Sequence, residues 1–289
     1  MARKVKISAG VLNIRLHPHT AARYAEFMND IYRLRHPVKL RGDRHGMISL
    51  LNRAEAGENV LSGVITTFLD IDLDGAWFNT DDLKEATDEE ISQVVIPENL
   101  HPNSAQFYFQ FDTANHKIYF QTYAAGKLLS EKSALSLFQG LADDLTISQK
   151  YGDVKITVVQ SKEGLARIFA LPIIKEITIT ILKPNADIFA DDFEAQIEAH
   201  LATAQSKKLT ISYEADPGSS IVPTDEIKAI SAVALENGNV KVNGRDDSGA
   251  VKRSTDDHPR QYQDKYDPDA MTESQAFRSI LPRGNVQGA

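Results

Sequence analysis

The chain has 289 residues, 42% hydrophobic and 25% charged, with no cysteine and a net charge of −8. That composition is globular and sufficient to bury a core without staples, and it excludes disulfides, thiolate metal centres and a cysteine nucleophile. Global acidity argues against a nonspecific DNA coat, but the charge is uneven: residues 1–60 hold eleven Lys/Arg against five Asp/Glu, and residues 61–103 hold Lys84 against ten acids.

In chain order, Met1-Ala2-Arg3-Lys4-Val5 lacks the apolar run of a signal peptide, and no segment reaches the ~20 apolar residues of a membrane helix. A cytoplasmic chain without membrane insertion is the expectation. Val5 to Leu16 reads as a strand. Val5, Ile7, Ala9 and Val11 share one phase, and Leu12, Ile14 and Leu16 the other, so a bulge or bend is expected at Gly10. Thr20 is placed to cap a helix reaching Leu34, with Tyr24, Phe27, Met28, Ile31 and Leu34 on one stripe, and Pro37 ends it. A basic loop or short ribbon follows, then a strand at Met47–Leu51 and a polar loop from Arg53 to Asn59. Val60 to Leu73 reads as a long strand over which Trp77-Phe78 is expected to close, and Thr87-Asp88-Glu89-Glu90 matches a capping box. Phe107, Phe109 and Phe111 alternate with Tyr108 and Gln110, and Ile118 and Phe120 resume the pattern after a polar connector. This predicts a β-hairpin with one aromatic face, central in its sheet. A helix is predicted over Ser133–Leu145.

The pattern changes at Tyr151-Gly152-Asp153. A strand at Val154–Val159, a helix capped by Ser161 and stopped by Pro172, and a strand with Ile177, Ile179 and Ile181 inward come first. A helix at 191–205 (Phe193, Ile197, Leu201), a strand at Leu209–Tyr213 and a helix from Thr224 to Asn237 follow, with Gly238 at the expected C′ position. A hairpin turning at Asp246-Asp247-Ser248-Gly249 completes the unit. The expected fold is α+β: a β-rich N-terminal domain (1–150), a β-α-β-α-β-α-β-β C-terminal domain (151–255) and an extended, partly docked tail (256–289) anchored by Tyr262, Tyr266, Met271, Phe277 and Ile280.

Motifs that carry chemistry are sparse. Asp70-Ile71-Asp72-Leu73-Asp74-Gly75 fits the opening of an EF-hand loop, with Asp81 twelfth, but a strand precedes it where a helix is required. An acidic strand face running into a Gly turn is the simpler reading. Gly244 to Gly249 lacks the Gly-Lys-Ser/Thr ending of a phosphate loop and reads as a hairpin turn. The eight histidines show no metal spacing; each reads as solvated or locally bonded, His116 as a turn residue. No cofactor and no catalytic residue is assigned. The basic segment is the best site candidate: Arg33, Arg35, Lys39, Arg41, Arg44 and Arg53 are suited to phosphates, unless the acidic 61–103 segment pairs with them. Tyr108 and Tyr119, opposite in phase to the phenylalanines, would join such a site only if exposed beside Arg41 and Arg44.

Two stretches carry a family resemblance. Ile96-Pro97-Glu98-Asn99-Leu100-His101-Pro102-Asn103 with Phe107-Tyr108-Phe109 and His116-Lys117-Ile118-Tyr119-Phe120 is one. Leu182-Lys183-Pro184-Asn185-Ala186-Asp187, Asn237-Gly238-Asn239-Val240, Gly244-Arg245-Asp246 and Ser254-Thr255 form the other. Together they resemble an uncharacterised bacterial domain-of-unknown-function family spanning nearly the whole chain. More loosely, the layout is similar to the RexA abortive-infection protein of phage lambda and to the KwaB component of the Kiwa defence system. That resemblance implies phage exclusion and DNA binding, and it carries over no residue. The leading expectation is a non-enzymatic sensor or adaptor that binds DNA or RNA, a homodimer with a possible protein partner from the same operon. The alternatives are a protein-interaction module using the acidic 61–103 face or the C-terminal tail, and a metal-dependent nuclease using Asp70, Asp72 and Asp74.

Overall fold

The first strand, β1 (Val5–Arg15), runs unbroken through Gly10 in the computed structural model, which describes residues 4–17, 19–52, 59–183 and 192–282. Its two apolar phases serve two faces. Leu12, Ile14 and Leu16 enter the main core, whereas Ile7, Ala9 and Val11 enter a smaller core on the opposite face. The expected bulge is therefore corrected: pairing with the neighbouring strand is continuous from Ala9 to Asn13. Gly10 is required for space instead, because a Cβ there would stand 2.6 Å from Cζ of Phe120.

Helix α1 (Ala21–Arg33) is capped by Thr20, whose side chain accepts from the Arg23 amide, and it buries Tyr24, Phe27, Met28 and Ile31. Three strands follow: β2 (Val38–Arg41), β3 (Arg44–Asn52) and β4 (Val60–Leu69). A small ribbon of β5 (Phe78–Asn79) and β6 (Lys84–Glu85) and the single turn α2 (Asp88–Ile91) precede the aromatic hairpin, β7 (Ala105–Asp112) and β8 (Lys117–Gln121). Then come β9 (Tyr123–Ala124), β10 (Lys127–Leu128), α3 (Glu131–Ala142), α4 (Leu145–Tyr151) and β11 (Lys155–Val158). The main sheet has the order β11-β1-β8-β7-β4-β3-β2. The aromatic hairpin is central, as its pattern predicts. Phe107, Phe109, Phe111 and Phe120 are essentially inaccessible, with Phe109 edge-on to Phe138 of α3 and Phe111 edge-on to Tyr24 of α1.

Three expectations in this half change. β4 stops at Leu69, not Leu73: the Asp70 amide still donates to the Asp43 carbonyl in register with the Arg44–Leu69 pair, and the chain then bends at Leu73–Gly75. Trp77-Phe78 does not close over the sheet; Phe78 is 63% exposed. The helix expected over Ser133–Leu145 is α3, which ends at Ala142, and Leu145 instead opens α4, which Asp144 caps by accepting from the Thr146 amide.

The second sheet is built from α5 (Lys162–Phe169), β12 (Ile173–Leu182), α6 (Asp192–Thr203), β13 (Lys208–Glu214), α7 (Asp225–Asn237), β14 (Gly238–Asp246) and β15 (Gly249–Ser254). The strand order is β13-β12-β14-β15, every pair antiparallel. Ile177, Ile179 and Ile181 pack against Ile197, Leu201, Ile230 and Leu235, as the alternation requires; Phe193 lies outside the side chains described. β11, which the sequence groups with this half, pairs instead with β1, from Leu12 opposite Val158 to Arg15 opposite Lys155. Gly238 is not a left-handed cap. Its φ of 171° is extended, and a Cβ would lie 1.9 Å from the Thr180 carbonyl oxygen, because α7 passes directly into β14 beside β12.

The tail returns to the first sheet. β16 (Gln261–Tyr266) pairs with Val5–Gly10 of β1, and α8 (Glu273–Ser279) lays Ala276 and Phe277 on the sheet's outer face. The result is an α+β fold with a β-rich first half, a second α/β sheet and a docked tail. Among the described residues no helix is long and apolar enough to cross a membrane.

Candidate nucleic-acid interface

Strand β2 is an edge, and its alternation decides where its charges go. Val38 and Leu40 pack against the core, so Lys39 and Arg41 must face solvent. Arg41 pairs with Arg44 across a two-residue connection whose first residue, Gly42, has φ +54°. That position of a tight hairpin turn requires positive φ, which glycine adopts without strain. Arg44 is half-buried, and its Nη1 donates to Thr67 Oγ1 at 3.2 Å. Arg33, the last residue of α1, is 67% exposed with Nη1 3.6 Å from Asp30 Oδ1. Arg35 is exposed with φ +48° just beyond the helix. Arg53 lies outside the described residues. Of the six expected cations, Lys39 and Arg41 lie on the β2 edge with Arg44 opposite Arg41, while Arg33 and Arg35 lie at the end of α1 and in the connection to β2; among the described residues no acid forms an ion pair with Arg35, Lys39 or Arg41.

The acidic segment meets this edge at one carboxylate. Asp70 Oδ2 lies 3.9 Å from His45 Nδ1 and Oδ1 lies 3.5 Å from His101 Nδ1. Phe68 stacks on His101 at 4.4 Å and faces His45 at 6.5 Å. Asp72 and Asp74 turn into a local loop in which the Asp74 amide donates to Asp72 Oδ1. No helix flanks the loop as an EF-hand needs, since β4 precedes it. Among the described residues no set of three or more His, Asp or Glu side chains converges as metal ligands would. Asp70, Asp72 and Asp74 belong to no such set among the described residues.

The aromatic hairpin does not join the edge. Tyr119 is 8% exposed and lies under Tyr262, and half-buried Tyr108 stacks on Phe277 at 6.4 Å. Neither offers a free face to a base. Gly244 to Gly249 is the hairpin turn expected: the Ser248 amide donates to Asp246 Oδ1 at 2.9 Å between β14 and β15.

A buried polar seam between the two sheets escaped the sequence reading. Lys117 Nζ contacts Glu236 Oε2 at 2.7 Å and Asn13 Oδ1 at 3.1 Å. Asn13 Nδ2 donates to Asn237 Oδ1 at 3.1 Å, and Arg260 Nη1 lies 3.5 Å from Glu236 Oε1. His116 is no solvated turn residue: it is 4% exposed, has φ +55° and stacks on Tyr24 at 4.0 Å. Burial, then His19 and Lys117, push its pKa down to about 3, so it is neutral in the fold. The polar run Asp112–Lys117 disguises both residues as a surface turn. The signal available was that Lys117 opens a strand whose next three residues, Ile118, Tyr119 and Phe120, are apolar on both faces.

A family model described as a domain of unknown function, DUF4747, matches residues 5–282. No curated protein matches the chain.

Proposed function

We propose, for a chain that belongs to the DUF4747 family of unknown function, a non-enzymatic role as a nucleic-acid-associated sensor or adaptor. The observation that carries this reading is the pair of solvent-facing cations Lys39 and Arg41 on an open sheet edge, with Arg44 opposite Arg41 and the exposed Arg33 and Arg35 in the stretch that leads into β2. Cations of this kind neutralise phosphates and release counterions, which holds a backbone without reading its sequence. The layout resemblance to phage-exclusion proteins supports the phage-defence type, acting as a cytoplasmic homodimer with a protein partner.

The test is fluorescence anisotropy with labelled duplex and single-stranded DNA and RNA across a salt series. Each phosphate contact contributes about −0.9 to the slope of log K against log salt on duplex DNA. The Lys39→Ala/Arg41→Ala variant is expected to flatten that slope by ~1.8. No binding to any of these nucleic acids at low salt, or an unchanged slope in the variant, sinks the proposal.

A second reading rests on a different observation. Phe78, Leu83, Val95 and Leu100 are all more than half exposed within the acidic segment, a pattern that suits a protein partner. The described part of the tail, by contrast, is occupied with β1 and the outer sheet face. A partner that stays bound after nuclease treatment, and is lost in Leu83→Ser/Val95→Ser, would favour this reading over the first.

A further inference from the structure

We propose that a cleft in the acidic segment takes an arginine side chain from an extended, basic stretch of a protein partner. This rests on the protein-partner reading above and gives that partner a chemistry. The cleft lies between the loop that follows β4 and the passage from β6 into α2, and its volume is about 670 Å³. Leu73, Trp77 and Ile91 supply apolar walls, and Asp74, Glu85 and Asp88 bring carboxylates to it. A space of this order is ordinary for a ligand site.

Three observations point to a cation held by a peptide. Trp77 is the chain's one tryptophan, and it is half-buried yet belongs to none of the three buried apolar clusters. Its ring lines the cleft rather than a core, and an indole face is the best aromatic partner for a cation. The carboxylates come next. Among the described residues Asp74, Glu85 and Asp88 form no ion pair, and Lys84, the one Lys or Arg of residues 61–103, sits 3.0 Å from Asp82 instead. No Lys, Arg or His lines the cleft, so its potential repels phosphate and attracts a cation. The third observation is the rim. Phe78 pairs with Glu85 across the β5–β6 ribbon, so the two side chains share a face, and Phe78 is 63% exposed. A basic residue in the cleft thus brings its chain neighbours onto an apolar surface. Arginine suits the cleft better than lysine, because its planar guanidinium stacks on an indole while donating to carboxylates at its edge. A bare metal ion is a poorer fit, since these acids do not converge as ligands.

Because Trp77 is the sole tryptophan, its fluorescence reports on this cleft alone. The full chain is to be titrated with a capped peptide of alternating Arg and Leu, and with a second peptide in which Gln replaces Arg. A saturable change in emission is expected with the Arg peptide, weaker as salt rises and absent with the Gln peptide. By calorimetry, Trp77→Leu is expected to weaken binding about 3-fold. Glu85→Gln/Asp88→Asn removes two exposed charges and is expected to weaken it about 5-fold with an unchanged melting temperature, which keeps the test valid if Trp77→Leu folds poorly. Glu214→Gln/Asp216→Asn removes the same charge from exposed positions at the end of β13 and is expected to bind like the wild type. The proposal is overturned if the Arg peptide leaves the emission unchanged, if both peptides bind equally, if both cleft variants bind like the wild type, or if the Glu214/Asp216 variant loses as much as the Glu85/Asp88 variant. Self-association abolished by Trp77→Leu and by Lys39→Ala/Arg41→Ala alike would also overturn it, since the occupant would then be a second copy. A captured partner that survives the cleft variants but is lost in Leu83→Ser/Val95→Ser leaves the protein-partner reading standing and sinks the cleft.

Discussion

Lys117→Met tests the seam. Methionine keeps the volume of the stem and removes the charge that sits 2.7 Å from Glu236 Oε2, between side chains only 9% and 17% exposed. Breaking a buried pair from one side costs ~3–5 kcal/mol, because the remaining charge stays desolvated. Glu236 keeps Arg260 at 3.5 Å, which places the expected loss lower, at ~2–3 kcal/mol. In a chain of this size ~1 kcal/mol moves the melting temperature by about 2 °C, so a fall of ~4–6 °C is expected. The pH dependence has a definite sign. Burial raises the Glu236 carboxyl, but Lys117, then Arg260 and Lys162, outweigh it and hold the pKa below its usual 4.5. Stability from a depressed carboxyl is present above the unfolded pKa and is lost as pH falls through the folded one. The gap between wild type and variant should therefore narrow below about pH 4.5, as urea unfolding at neutral and acid pH would show. Adding Glu236→Leu should recover much of the loss, since it removes the stranded charge. A single variant within ~0.5 kcal/mol of wild type, or a gap independent of pH, refutes the reasoning.

Other expectations are simpler. Gly238→Ala puts a Cβ 1.9 Å from the Thr180 carbonyl oxygen, a backbone atom, whereas Gly10→Ala meets the rim of the Phe120 ring at 2.6 Å. Both should destabilise, Gly238→Ala by ~3 kcal/mol or more and Gly10→Ala by ~1–3 kcal/mol, with equal losses in denaturant melts counting against the spatial argument. His116 is neutral when folded and charges at its ordinary value of 6.5 when unfolded, so its contribution is lost as pH falls from about 6.5 towards 3. Asparagine tolerates the same positive φ, so His116→Asn should flatten the stability profile in that window; an unchanged profile assigns the acid sensitivity elsewhere.

What could be read from the residues alone was what periodicity encodes. The aromatic alternation of Phe107 to Phe120 placed the central hairpin, and the caps at Thr20, Thr87, Ser161 and Thr224 set helix starts within a residue. The misreadings share a cause: they depend on partners distant in sequence. The phase change around Gly10 looked like a local bend because the second apolar face is covered by a strand and helix some 250 residues away. Gly238 looked like a cap because the contact forbidding a side chain comes from β12. Of the candidate edge, composition identified the cations; which of them face water followed from the pairing of β2 with β3. Lys117 at the head of an apolar strand was a local hint, but its partners were not legible, since Asn13 and Glu236 lie 104 and 119 residues from it along the chain.

The pairing of β16 with β1 also bears on the order of synthesis. Val5 to Gly10 find their partner in Gln261 to Tyr266, so that edge waits for nearly the whole chain to be translated. At ~5–20 residues per second the wait is on the order of ten seconds or more. Throughout it, Ile7, Ala9 and Val11 present an apolar strand face with no α8 to cover it. A nascent chain stalled before Gln261 therefore exposes a strand edge ready to pair with a second copy, and release of the last segment is the event that removes the hazard.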